Sequence, residues 1–223
     1  MAQATTVMLD PKVSRYLTAL GQELAGRASE IQFPYSFAVF RGIPPTRLIA
    51  FPLDPWGQGF NEALALAGGP VFVPARLVEK LDSEPELAAV LAHAISHIAL
   101  RHSTRMASMG ELVNLASAGL PPGLGASPLG FTSFARRFEK DADSLAIRII
   151  GEAGYDPAGF LSYLRKLPTP YSQIFAAQPT PEARTQAAEA LIASLPEKAY
   201  RVDSGRFAEW KTAVAAAAAT LVP

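Results

Sequence analysis

Hydrophobic positions recur with helical spacing from Asp10 to Ala28, where Val13, Tyr16, Leu17, Leu20 and Leu24 fall on one side. Short apolar runs follow at Phe37 to Phe40, Leu48 to Phe51, Ala63 to Ala67 and Val71 to Val73. Gly42-Ile43-Pro44-Pro45, Pro55-Trp56-Gly57 and Gly68-Gly69-Pro70 separate them, which predicts a small, mainly antiparallel sheet. Pro74 to Leu81 reads as a short helix or turn. Beyond it, Leu87, Val90, Leu91, Ala94 and Ile98 form an apolar stripe of helical period, inside a run free of Gly and Pro. Ser83-Glu84-Pro85-Glu86 just before this stripe reads as a capping box, with Ser83 as N-cap and Glu86 reaching back. Pro85 is tolerated there because a first-turn N–H has no intrahelical partner to lose.

Leu112 to Ala135 is uncharged over 24 residues, but it contains Gly119, Pro121, Pro122, Gly123, Gly125, Pro128 and Gly130. No lipid-exposed helix survives that density of breakers, so a loop over about 111–131 is predicted rather than a membrane span. A second long helix is predicted from Thr132 to Ala153, burying Phe134, Phe138, Ala142, Leu145, Ala146 and Ile149. Gly154-Tyr155-Asp156-Pro157 stops it. Helices over Ala158 to Lys166, Pro181 to Ser194 and Gly205 to Leu221 complete the chain. The expected fold is α+β: one domain over 1–223, with sheet and motif helix before the loop and helices after it.

Composition narrows the function. The 223 residues are 49% hydrophobic and 18% charged, as a core-forming globular protein requires. Lys+Arg and Asp+Glu balance at 20 each, and no basic run is interleaved with aromatics, which argues against nucleic acid as a partner. With no cysteine, any zinc must be held by histidine and carboxylate. The apolar end, Ala213 to Val222, is too short to cross a membrane. Met1-Ala2-Gln3-Ala4 lacks the pattern of a signal peptide. A mature exported chain with a new initiator and a cytoplasmic protein both fit that start.

All three histidines, His93, His97 and His102, stand within ten positions. His93 and His97 are four apart on the predicted helix, so they share a face and can reach one metal ion. This is the spacing of the zinc-peptidase motif His-Glu-x-x-His, except that Ala94 occupies the glutamate position. Chance also puts histidines four apart on helices, as plain core or surface residues. Glu139 and Asp143 are likewise four apart on the second long helix. Glu139 would be the third ligand of a zinc site with an open fourth position, and Asp143 a partner fixing a histidine's tautomer. The alternative is a solvated acidic face paired with Arg136 or Lys140.

Several segments together resemble the gluzincin metallopeptidases related to HtpX and the CaaX prenyl protease, peptidase family M48. They are Asn61 to Val73 with Gly68-Gly69 at its centre, Glu86 to His102 around the motif, Arg136-x-x-Glu139-x-x-Ala142-Asp143, and Gly151 to Pro157. The resemblance spans roughly Tyr16 to Arg184. It implies a zincin-like fold and a zinc endopeptidase acting on peptides or unfolded proteins. It implies one Zn2+ on His93, His97 and Glu139, with Asp143 behind a histidine. Val71, Phe72 and Val73 would border the cleft as an edge strand able to pair with an extended peptide. His102 is too far along the helix for a fourth ligand and is read as a packing or hydrogen-bonding residue.

Two positions depart from the family pattern. Ala94 replaces the general-base glutamate, whose proton transfer contributes about 10²–10⁴-fold, so hydrolysis should be lost while metal and peptide binding remain. An engineered inactivating substitution is the favoured explanation, and a natural pseudopeptidase that binds a peptide or partner is the rival. Gln178, in Gln178-Pro179-Thr180-Pro181-Glu182-Ala183-Arg184, replaces a histidine that the resemblance places near the reacting carbonyl. Gln178 or Tyr171 could donate that hydrogen bond. Arg184 keeps its matching position and is expected at the substrate, a surface salt bridge being the alternative. A zinc-stabilised scaffold is a third reading, disfavoured because structural zinc normally takes four protein ligands.

Overall fold

The computed structural model describes residues 6–28, 33–41, 62–117, 128–167 and 179–220. The expected strand Leu48 to Phe51 lies outside these residues, as do Tyr171 and Gln178. The elements run β1 (Thr6–Val7), α1 (Pro11–Ala25), β2 (Ser36–Arg41), β3 (Leu64–Ala65), β4 (Pro70–Pro74), α2 (Ala75–Lys80), α3 (Glu84–Ala99), α4 (His102–Ser117), α5 (Pro128–Glu152), α6 (Ala158–Leu164), α7 (Pro181–Ala193) and α8 (Phe207–Thr220). The class is α+β.

Asp10 starts α1 by accepting a hydrogen bond from the Lys12 N–H at 2.7 Å. The predicted stripe of Val13, Leu17, Leu20 and Leu24 is buried against the sheet. Gly21 permits the close approach, because a Cβ there would stand 2.6 Å from the Phe37 ring of β2.

The strands lie in the order β1-β2-β4-β3. The two outer ladders are antiparallel. The central ladder, β2 with β4, is parallel, running from Ser36 opposite Pro70 to Phe40 opposite Pro74. Local alternation cannot reveal this, since a parallel pair needs a crossover of about a dozen residues or more. The expected edge strand is corrected: β4 is internal, and the edges of the described sheet are β1 and β3. The reversal at Gly68-Gly69 folds β3 onto β4. Gly69 has φ +129° and no room for a Cβ, which would lie 2.5 Å from the Pro34 carbonyl oxygen.

Helix α3 is the axis of the core, buried continuously from Glu84 to Ser96. It packs against α5, α6 and α1. Ser83 caps it, its Oγ accepting from the Glu86 N–H at 3.4 Å. Glu86 does not reach back to Ser83 as a capping box would have it. Its Oε2 accepts from the Asp82 N–H at 2.8 Å and from Lys166 Nζ at 2.6 Å, because α6 leads a lysine to this corner. The alanine-rich α8 is more than a propensity helix. Phe207, Trp210 and Val214 are buried, and Trp210 Nε1–H donates to the Val13 carbonyl at 3.0 Å.

The loop predicted over about 111–131 is helical at both of its ends. Helix α4 continues to Ser117 and α5 already begins at Pro128. Leu112 to Ser117 contain no breaker, and proline is at home in the first turn of a helix. On α5, Phe134 is 41% exposed, whereas Ala135, Phe138, Ala142, Ala146 and Ile149 are buried. The inward face is therefore rotated slightly from the one read off the sequence.

Candidate metal centre

The core packing of α3 on α5 brings one turn of each helix face to face. Helix α3 presents His93 and His97, and α5 presents Glu139 and, one turn later, Asp143. His93 Nε2 lies 3.1 Å from His97 Nε2. Glu139 Oε2 lies 3.4 Å from His93 Nε2, and Glu139 Oε1 lies 3.4 Å from His97 Nε2. Three ligating side chains thus converge from two helices.

A tetrahedral zinc with bonds of ~2.0–2.1 Å has ligand-to-ligand edges of about 3.3 Å. Each of the three observed separations is close to the length of such an edge, with one Glu139 oxygen facing each histidine. Glu139 Oε2 is also buried without a hydrogen-bond partner. Burying a carboxylate oxygen without a donor is costly, and a cation at this point removes the cost. Glu139 and Asp143 together outweigh the single positive charge of Arg184, so the pocket favours a dication. The residues fit a small divalent metal.

Behind the ligands, His93 Nδ1 lies 3.0 Å from Asp143 Oδ1. The contact is close but poorly aligned, leaving Nδ1 without a well-directed hydrogen bond. Asp143 is held in turn by Arg184 of α7, with Nε to Oδ2 at 2.8 Å and Nη2 to Oδ1 at 2.7 Å. Arg184 Nη1 reaches Glu62 Oε1 at 3.1 Å, and Nη2 is 3.7 Å from Glu139 Oε2. Arg184 is only 3% exposed, so the guanidinium expected at the substrate sits beneath the ligands, committed to carboxylates. Sequence reasoning assigned no role to Glu62; its partner lies 122 positions away, and no local pattern marks such a pair.

His102 opens α4 and is buried. Its Nδ1 lies 3.1 Å from His97 Nδ1, and its ring stacks on Phe138 at 4.4 Å and 11°. This is the packing and hydrogen-bonding role read for it.

The electrostatics follow from burial opposed by charge. Burial alone would raise Glu139, but His97, His93 and Arg184 outweigh it and hold the carboxyl well below the carboxylate range. Burial likewise opposes charge on His93, yet Asp143 and Glu139 pull it well above an ordinary histidine. Burial pushes His97 down to about 4, helped by the His93 charge. Burial would raise Asp143 too, but its contacts to His93 and Arg184 bring it below its usual value.

Ala94 follows the first histidine and is buried, 1% exposed. Nothing in its side chain can accept a proton. Edge strand β3 runs beside α3. A cavity of about 240 Å³ opens between Ala67 and Gly68 of the β3–β4 hairpin, His97 and Ile98 of α3, and Ser103 and Thr104 of α4. One candidate ligand therefore forms part of a cavity wall. No described helix is long and apolar enough to cross a membrane.

The chain is 28% identical over 200 residues to the beta-barrel assembly-enhancing protease of Escherichia coli K12, covering 78% of this chain and 38% of that protein. The Yersinia pestis protein of the same name is 28% identical over 186 residues, covering 75% and 35%. The mitochondrial metalloendopeptidase OMA1 of Schizosaccharomyces pombe is 35% identical over 104 residues, covering 43% and 31%. The chain thus spans between 31% and 38% of the length of these curated relatives. The model of peptidase family M48 matches residues 11–192, most of the chain. The chain belongs to peptidase family M48.

Proposed function

We propose that this chain is the metallopeptidase domain of a zinc-dependent endopeptidase, with one Zn2+ held by His93, His97 and Glu139. The observation that carries the reading is the convergence of His93 Nε2, His97 Nε2 and the two Glu139 carboxylate oxygens, at 3.1, 3.4 and 3.4 Å, with Glu139 Oε2 buried and lacking a donor. Zinc bound there supplies a Lewis acid for the scissile carbonyl and lowers the pKa of a water nucleophile to about 7. The rest is done by the chain. Asp143 holds the back of His93 and so keeps its Nε2 turned inward. Arg184 fixes Asp143 and neutralises part of the buried negative charge. The free edge of β3 offers backbone groups to an extended peptide next to α3. Gln178 remains a candidate donor to the reacting carbonyl. Ala94 leaves the proton-transfer role empty, so the chain binds and orients its substrate with little or no hydrolysis.

The substrate class is an extended peptide or unfolded protein. The name of the longer relatives ties them to β-barrel assembly, so an unfolded β-barrel protein is a substrate to test beside casein. Ala94→Glu is the deciding experiment. The restored, zinc-loaded protein should cleave casein, itself or the unfolded β-barrel protein. Cleavage of none of them would overturn the peptidase reading. The second reading, favoured by Ala94 itself, is a zinc-containing module that binds a peptide or partner without cutting. It predicts tight peptide binding by the chain as it stands, and no turnover after Ala94→Glu.

A further inference from the structure

His102 belongs to no ligand set, yet its buried ring touches a ligand directly. Its Nδ1 faces His97 Nδ1 at 3.1 Å. Two ring nitrogens at that distance share one proton, and its location decides what His97 can do. If His102 Nδ1 carries the proton, His97 Nδ1 accepts it, and neutral His97 must hold its own proton on Nε2. That nitrogen then has no lone pair for a metal. If His97 Nδ1 carries the proton, His102 Nδ1 accepts, and His97 Nε2 is free to ligate. His97 Nε2 is the atom that points at His93 Nε2 and Glu139.

The surroundings of His102 fix where its ring lies. Its ring lies nearly parallel to Phe138 at 4.4 Å, and Phe138 immediately precedes Glu139 on α5. The Arg105 guanidinium, one turn further along α4, lies 4.6 Å from the centre of the same Phe138 ring. His102 Nε2, the remaining nitrogen, is buried and has no hydrogen-bond partner among the described residues. Its position is therefore set by the His97 contact and the Phe138 stack. One histidine thereby touches a ligand of α3 and packs on the residue beside the ligand of α5.

We infer that His102 is a positioning residue of the metal centre: by accepting the Nδ1–H of His97 it selects the tautomer that turns His97 Nε2 to the metal. This rests on the zinc reading above. It assigns a task to the first residue of α4, outside the ligand-bearing helices. Outer partners of this type are typically worth about 10–100-fold in metal affinity.

The test compares His102→Phe with His102→Asn. Phenylalanine keeps the volume and the stack on Phe138 but removes the acceptor. Asparagine places an oxygen near the lost Nδ1. Zinc and cobalt affinities are measured by competition with a chromogenic chelator, with the Co2+ visible spectrum as a report of ligand geometry. The wild-type chain should bind one ion, His102→Phe should bind about 10–100-fold more weakly with an altered spectrum, and His102→Asn should recover most of the loss. Equal affinity and spectrum for wild type and His102→Phe would overturn the inference while leaving the metal centre intact. Failure of the wild type to bind either ion would instead overturn the zinc reading, and this inference with it. Should His102→Phe not fold, ring ¹⁵N spectra of the zinc-loaded wild type decide. A His102 protonated on Nε2 with an accepting Nδ1 supports the role, and a His102 protonated on Nδ1 overturns it.

Discussion

Arg184 and Asp143 meet through two parallel hydrogen bonds of 2.8 and 2.7 Å, with both side chains buried. Neither residue is a candidate ligand, but the pair stands directly behind His93. Breaking a buried ion pair from one side leaves the other charge uncompensated and costs about 3–5 kcal/mol. Arg184→Ala should therefore lower the unfolding free energy by that amount, read from urea denaturation, and weaken metal binding. Arg184→Lys should recover only part of either, because lysine cannot reproduce the planar fork. A wild-type urea midpoint for Arg184→Ala would show that the pair contributes no stability.

Metal removal should be visible in stability as well as chemistry. A ligand at a hundred times its Kd stabilises the folded state by about 2.7 kcal/mol, or roughly 5–10 °C in Tm for a chain of this size. Zinc should raise the Tm of the wild type by this order, and a chelator should reverse it. Glu139→Ala should erase the difference, as read by calorimetry and metal analysis. Unchanged zinc content in that variant would sink the ligand assignment.

Glu84, 1% exposed at the start of α3, accepts from Tyr16 Oη at 2.7 Å and Ser204 Oγ at 2.8 Å. Burial and this carboxylate push the Tyr16 phenol well above its ordinary value. Glu84→Ala leaves both hydroxyls without their acceptor, which should destabilise the protein by about 1–3 kcal/mol. Tyr16→Phe removes a single bond and should cost less. Chemical denaturation of the two variants checks the order.

The Lys166 corner carries a pH signature. Lys166 donates to the Asp82 and Glu86 carboxylates at 2.6 Å each. Its hydrogen bond and charge lower the exposed Asp82 carboxyl, while burial opposes and the two carboxylates raise Lys166 overall. The depressed Asp82 stabilises the fold above an unfolded pKa of about 3.9, and the effect is lost as pH falls through the folded value. The raised Lys166 stabilises below about 10.4, and that effect is lost as pH rises through its folded value. The stability gap between wild type and Asp82→Asn should thus be flat near neutrality, shrink in acid and shrink with salt. A gap that grows below about pH 4 would contradict the pairing.

Gly159 on α6 abuts the start of the motif helix. A Cβ there would lie 2.5 Å from Pro85 Cβ and 2.6 Å from its carbonyl carbon. Gly159→Ala must push α6 off α3, and overpacking of this kind costs about 1–3 kcal/mol. A thermal melt equal to wild type would show that the helices separate freely.

The amino-acid sequence by itself determined the local part of this protein. The α1 stripe, the Ser83 cap, the His93/His97 pair one turn apart and the Glu139/Asp143 pair one turn apart are all properties of neighbours on one helix. Helical period alone carries them. Ala94 in the motif is a statement of the same local kind. The tertiary structure decided whatever depends on residues far apart in the chain. It made the β2–β4 ladder parallel, put β3 rather than β4 at the sheet edge beside the motif helix and turned Phe134 outward. It also sent Arg184 beneath the ligands to Asp143 and Glu62, and set His102 on His97 at an angle no helical spacing predicts. The physical reason is that periodicity reports which face of an element is apolar, whereas a buried charge pair or a shared proton depends on which elements close-pack against each other. Only the packing of α3 on α5, with α4 and α7 behind them, brings those partners within hydrogen-bonding distance.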